Sequence, residues 1–197
     1  GMGAYAPASL LSEEALNDVC TFILKPIIKA LKAKGIDYRG VIYAGLMLTH
    51  SGAQVIEFNC RFGDPECQTL MPLLGPELAN IMHACSLGCL DKAPTLSISK
   101  LCSACVVVAT DGYPDKPRTG DVINMSLQLN ESLQLFHAGT RSDEQNRICT
   151  SGGRVLSVVS QGETFDDAFN NVYKGIGQIS FNGINYRKDI GNQVRSI

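Results

Sequence analysis

The sequence predicts an α+β protein in two parts: an antiparallel sheet with helices, then a small, mostly β region with one packed helix. Three observations predict it. An apolar stripe at helical spacing lies near the start of the chain. Two alternating runs around a short polar turn follow it. Beyond residue 96, apolar runs of strand length dominate until a last amphipathic helix.

Ser12-Glu13-Glu14 predicts a helix start, with Ser12 as cap and acids in the first turn. Leu16, Val19, Ile23, Ile27 and Leu31 continue at spacings of three and four. Pro26 is expected to kink this helix and Gly35 to end it. Val41–Thr49 reads as a strand, His50-Ser51-Gly52-Ala53 as a turn and Gln54–Asn59 as a second strand, giving an antiparallel hairpin. Asp64 and Pro65 suggest a helix, as cap and first helical residue. A further helix starts at Pro76, with Leu78, Ile81, Met82 and Cys85 on its apolar face. Composition turns polar over Asp91–Ser99, which places a domain boundary near residue 96 and divides the chain into 1–95 and 96–197. Strands are expected at Cys102–Ala109, Val122–Leu127, Leu133–His137 and Val155–Val159. Thr164 should cap a helix that turns Phe165, Ala168, Val172 and Ile176 inward.

Composition removes several function classes. The chain has 197 residues, of which 45% are hydrophobic and 18% charged, so it can bury a core. Its net charge of −2 is not the basic footprint of a nucleic-acid binder. No apolar run has the ~18 residues of a membrane span. Gly1-Met2-Gly3-Ala4-Tyr5 has neither the basic end nor the apolar core of a signal peptide, so a cytoplasmic protein is expected. The eight cysteines then read as reduced thiols. His83, Cys85, Cys89, Cys102 and Cys105 also admit a zinc reading. Against it, Cys102 and Cys105 open a strand, where residues three apart point to opposite faces.

The segment richest in chemistry is Glu57-Phe58-Asn59-Cys60-Arg61-Phe62-Gly63-Asp64-Pro65-Glu66. Alternation puts Val55, Glu57, Asn59 and Arg61 on one face of the second strand and turns Ile56 and Phe58 the other way, into a core. Side chains two apart have Cα atoms about 7 Å from each other, close enough for an acid and an amide to share one hard cation such as magnesium. The planar fork of Arg61 suits a phosphate or carboxylate, and a helix start at Asp64 offers free N–H groups to an anion. The same letters also fit a half-exposed strand with an arginine on the surface and an ordinary helix cap.

This block closely resembles the glycinamide ribonucleotide synthetase family, or phosphoribosylamine–glycine ligases, of the ATP-grasp superfamily. The resemblance continues through Tyr43-Ala44-Gly45-Leu46-Met47, Gly112-Tyr113-Pro114, Arg118-Thr119-Gly120-Asp121, Phe136-His137-Ala138-Gly139-Thr140, Gly152-Gly153-Arg154-Val155-Leu156 and Tyr186-Arg187-Lys188-Asp189-Ile190-Gly191. It implies the carboxy-terminal part of an ATP-grasp catalytic domain over 1–95 and the synthetase's carboxy-terminal domain over 96–197.

The resemblance further implies ATP-dependent ligation of glycine to 5-phosphoribosylamine, a step of purine biosynthesis. A glycyl phosphate is the intermediate, and glycinamide ribonucleotide, ADP and phosphate are the products. Glu57 and Asn59 match the family's Mg2+ or Mn2+ ligands. Arg61 is the expected catalytic residue, and Arg61, Gly63, Asp64 and Glu66 would border the substrate pocket. His137 reads as packing or as a polar pocket wall, and His50 as a solvated turn residue.

Two departures stand out. The strand before Glu57 carries no additional acid, which fits this family better than its ATP-grasp relatives. Asp115-Lys116-Pro117 changes one loop. The family's amino-terminal domain and nucleotide lid would precede Gly1, so the chain's expected partner is that missing portion. Without it, a truncated non-catalytic homologue serving as a binding or assembly module is the alternative, and another ATP-grasp carboxylase or ligase is a third reading.

Overall fold

The computed structural model describes residues 1–8, 10–126 and 132–195. In chain order its elements are β1 (Gly3–Ala6), α1 (Glu13–Asp18), α2 (Lys25–Ala33), β2 (Tyr43–Thr49), β3 (Gly52–Asn59), α3 (Glu66–Leu70), α4 (Glu77–Leu87), β4 (Cys102–Thr110), β5 (Asn124–Met125), β6 (Leu133–His137), β7 (Thr140–Ser142), β8 (Ile148–Thr150), β9 (Arg154–Gly162), α5 (Phe165–Ile176), β10 (Ile179–Ser180) and β11 (Ile184–Asn185). They form two compact units. One comprises Gly1–Pro7, Asp64–Leu73 and Ile98–Ile197, and the other Ala8–Gly63 and Leu74–Ser97.

The first unit is built on an antiparallel sheet in the order β1-β4-β9-β6. Since β9 occupies one edge of β4, β1 and β11 share the other, β1 against Ser103–Val106 and β11 against Ala109–Thr110. Val-rich β4 is buried from Ser103 to Thr110, so both its faces are covered. On one face Ala104, Val106 and Val108 join Leu156 and Val158 under α5, which inserts Ala168, Phe169, Val172 and Ile176. On the other, α3 brings buried Thr69 to the neighbourhood of Cys105. Cys102 and Cys105 do diverge: Cys102 approaches Glu163 and Asp167, whereas Cys105 is enclosed beside Thr69 and Ser157. Thr164 caps α5 by accepting a hydrogen bond from the Asp167 amide at 3.1 Å.

Several short strands in this unit escape the sequence patterns: β1, the β7–β8 hairpin, β10 and β11. The strand expected at Val122–Leu127 shrinks to Asn124–Met125, paired with β10; Leu127 lies outside the described residues. Asp64 does not cap α3. Pro65 holds the cap position without a side-chain bond, the Asp64–Pro65 peptide is cis, and the helix begins at Glu66. With five residues, α3 is too short to offer the anion site expected at its start.

In the second unit, Ser12 caps the first helix by accepting from the Ala15 amide at 3.2 Å. Pro26 leaves its mark upstream. Val19–Leu24 widens into a π-helical stretch, in which the Lys25 amide reaches back five residues to Cys20, before α2 resumes. A proline ring crowds the carbonyl four residues back, and the wider turn accommodates it. The helix ends in a Schellman motif at Gly35 (φ +73°): Ile36 N bonds Leu31 O and Gly35 N bonds Lys32 O. Along the stripe Val19 is buried and Ile23, Ile27 and Leu31 are half-buried, but Leu16 is exposed. The apolar face of α4 lines a cavity of about 280 Å³ together with Val41 and Phe62.

Strands β2 and β3 pair as the expected antiparallel hairpin, with a tighter turn at His50-Ser51. Ile56 is an extra residue: Val55 faces Leu46 and Glu57 faces Gly45 across the ladder. This bulge breaks the strict alternation read from the sequence. Ile56 and Phe58 do not enter a core but are 62% and 37% exposed. The hairpin is a sheet of its own: among the described residues no third strand pairs with its edges. Among the described residues, no helix is long and apolar enough to cross a membrane.

Candidate functional site

Glu57 and Asn59 stand on the same side of β3, beyond the bulge. The Asn59 amide nitrogen donates to Glu57 Oε1 at 2.9 Å. Directly opposite Glu57 on β2 is Gly45, and opposite Asn59 is Tyr43. A Cβ at Gly45 would lie 3.1 Å from Glu57 Cγ, so the glycine leaves the carboxylate its room. The two side chains offer a hard-oxygen pair of the kind that suits a magnesium-like cation. Cation binding by both oxygens requires the Asn59 amide to turn its oxygen toward the place its nitrogen now takes. Among the described residues no three His, Cys, Asp or Glu side chains form a metal-binding group.

Arg61 lies past the end of β3, so the alternation does not carry it onto the face of Glu57 and Asn59. Its guanidinium donates to the carbonyl of Phe62 at 3.1 Å and forms no ion pair among the described residues. Gly63 is buried and closes this segment of the second unit.

Asp64 and Glu66 belong to the first unit. Arg154, at the start of β9, donates from Nη1 to the backbone carbonyl of Asp64 at 3.0 Å and to that of Gly1 at 3.3 Å. The same nitrogen lies 3.4 Å from Asp64 Oδ1. The carbonyl of Pro65 accepts from Thr69 Oγ1 at 3.1 Å. Glu66 opens α3 and is half-buried. The letters of Gly152-Gly153-Arg154 do not by themselves assign the arginine a role. A cation that opens a buried strand just after two glycines is the signal that could have pointed to it. His137 Nδ1 lies 2.9 Å from Thr140 Oγ1, a local bond at a strand end, and His50 is exposed in the hairpin turn.

Two family models match this chain: the ATP-grasp (A) domain of phosphoribosylglycinamide synthetase over residues 1–67 and its C domain over residues 103–193. The chain belongs to the phosphoribosylglycinamide synthetase family. A phosphoribosylamine–glycine ligase from Nostoc sp. is 47% identical over 100% of the chain and 47% of its own length. The trifunctional purine biosynthetic protein adenosine-3 of Gallus gallus is 40% identical over 97% of the chain and 19% of its own length. Among solved structures, the phosphoribosylamine–glycine ligase of Thermotoga maritima superposes with a TM-score of 0.81 at 29% identity, covering 96% of this chain and 46% of that one. The biotin carboxylase domain of Hydrogenobacter thermophilus 2-oxoglutarate carboxylase, solved with magnesium and ADP, superposes at a TM-score of 0.64 and 14% identity, a likeness of ATP-grasp fold alone. The chain thus spans about half the length of the single-function ligases that it matches.

Proposed function

We propose that this chain supplies the metal-binding strand and the carboxy-terminal domain of a ligase that joins glycine to 5-phosphoribosylamine at the expense of ATP. The observation that carries this reading is the pair Glu57–Asn59, aligned at 2.9 Å on a strand whose facing residue is glycine. Family membership supplies the reaction class. In this reading residues 1–95 are the end of the ATP-grasp domain and residues 96–197 the carboxy-terminal domain.

ATP phosphorylates the glycine carboxylate, giving glycyl phosphate and ADP. The amine of phosphoribosylamine then attacks the acyl carbon; the C–N bond forms as phosphate leaves, and the amine gives up a proton. Glu57 and Asn59 would hold Mg2+ or Mn2+. A cation held there would supply positive charge against the phosphates of ATP. Arg61 would hold substrate phosphate or carboxylate through its guanidinium. Gly63 would leave room for backbone to approach substrate, and Asp64 and Glu66 would receive an amine. No strong base is required, because the attacking amine is already a nucleophile, and the exposed His137 is left out of the chemistry.

The test is ATP turnover by the chain supplemented with the amino-terminal half of a relative, with glycine plus phosphoribosylamine set against other acid and amine pairs. The reading predicts turnover that requires both named substrates and a divalent cation. Equal turnover with unrelated carboxylates would overturn it.

A further inference from the structure

We propose that Arg154 is a positioning residue for Asp64, and that it aims the free carboxylate oxygen of Asp64 at the amino group of an amine substrate. The inference rests on the reading of Asp64 as an amine-receiving pocket residue and adds to it the residue that supports the carboxylate. The supporting geometry lies entirely within one compact unit.

Arg154 stands at the start of β9, which is paired on both sides, so its backbone is fixed by the sheet. From there its Nη1 reaches three oxygens of two distant segments: Gly1 O, Asp64 O and Asp64 Oδ1. The Asp64–Pro65 turn is held from other sides as well. A Cβ at Gly1 would lie 2.5 Å from Pro65 Cδ and 2.8 Å from Asp64 O, so the amino-terminal backbone packs directly on the turn. Thr69, buried, binds the Pro65 carbonyl through both its amide (3.3 Å) and its hydroxyl.

This clamping leaves the Asp64 side chain 48% exposed, against 29% for Arg154. Oδ1 faces the guanidinium, while Oδ2 has no partner among the described residues. A carboxylate with one oxygen beside a guanidinium and the other free suits a single N–H donor from a primary amine better than an anion or a metal ion. Glycine and phosphoribosylamine share that chemistry.

The experiment measures KM for glycine, phosphoribosylamine and ATP, with kcat, in the assembled ligase carrying Arg154→Ala, Arg154→Lys, Asp64→Asn or the Ala–Asn pair. A lost charge-assisted contact corresponds to about tenfold or more in affinity. The expected result is that Arg154→Ala raises KM for one amine substrate about tenfold and leaves KM for ATP within about twofold. Which amine responds identifies the source. Arg154→Lys restores part of the loss, and Arg154→Ala has little further effect once Asp64 is Asn. If Arg154→Ala does not fold, Arg154→Lys and Arg154→Gln are read in its place. Unchanged amine KM values in the folded Arg154 variants, full additivity with Asp64→Asn, or equal shifts in all three KM values would overturn the proposal. If Asp64→Asn itself leaves both amine KM values unchanged, the pocket reading fails instead.

Discussion

Gly45 lies directly across the β2–β3 ladder from Glu57, and a Cβ built on it would approach Glu57 Cγ to 3.1 Å. The strand neighbour of the proposed metal ligand thus contributes space rather than a second acid. The carboxylate keeps its place beside Asn59 because nothing pushes it outward.

Gly45→Val should therefore disturb the site without touching a ligand. The Cβ alone requires Glu57 Cγ to give by a few tenths of an ångström, and the two methyl groups beyond it crowd the carboxylate further. In the assembled ligase the Mg2+ concentration for half-maximal activity is expected to rise about tenfold. An unchanged metal requirement, with the hairpin intact by circular dichroism, would show that Glu57 does not depend on the open space.

The strand that carries Glu57 and Asn59 was legible in the sequence because an acid and an amide two residues apart sit among apolar neighbours. The bulge at Ile56 was not, since an extra residue in one strand leaves no compositional mark. The amphipathic stripes of the first helix and α5, with caps at Ser12 and Thr164, were equally plain. Gly3–Ala6 was missed because four residues, three of them Gly or Ala, are too few to carry a strand pattern of their own; pairing with Ser103–Val106 makes them a strand. Asp64 was read as a cap because local chemistry favours it there. Instead its carbonyl is claimed by Arg154, 90 residues away, a contact no local pattern encodes. The inward turn of Ile56 and Phe58 failed for a related reason: alternation says which faces differ, not whether anything covers them.

Cys105 gives a prediction in the alkaline range. Burial pushes its thiol from an ordinary 9.0 up to about 12. The folded state therefore keeps a proton that the unfolded chain gives up. Its contribution is fully present below about pH 9 and is lost as pH rises toward 12. Cys105→Ala should flatten this part of the stability–pH curve relative to the parent, as read by urea unfolding at pH 8, 9 and 10. In the folded protein at pH 8, iodoacetamide should modify the exposed Cys20 and Cys60 and spare Cys105, as peptide mass spectrometry would show. Rapid alkylation of Cys105 would contradict its enclosure between β4, β9 and α3.

Gly191 tests how the last segment packs on α5. Its φ is +81°, and a methyl group there would run into the ring of Phe169. Both effects act in the same direction, so Gly191→Ala should destabilise by about 2–4 kcal/mol. The check is the midpoint of denaturant unfolding. Parent-like stability would mean that residues 186–195 do not pack on α5 as described.

The most direct measurement is metal-dependent turnover by the assembled ligase carrying both Glu57→Ala and Asn59→Ala, with Mg2+ and Mn2+ titrated separately. Removing both oxygens from a cation that carries phosphate charge is expected to lower kcat by about a hundredfold or more at any metal concentration. A parent-like rate with a parent-like metal requirement would mean that the cation is held elsewhere and that the pairing of Glu57 with Asn59 is only a surface hydrogen bond.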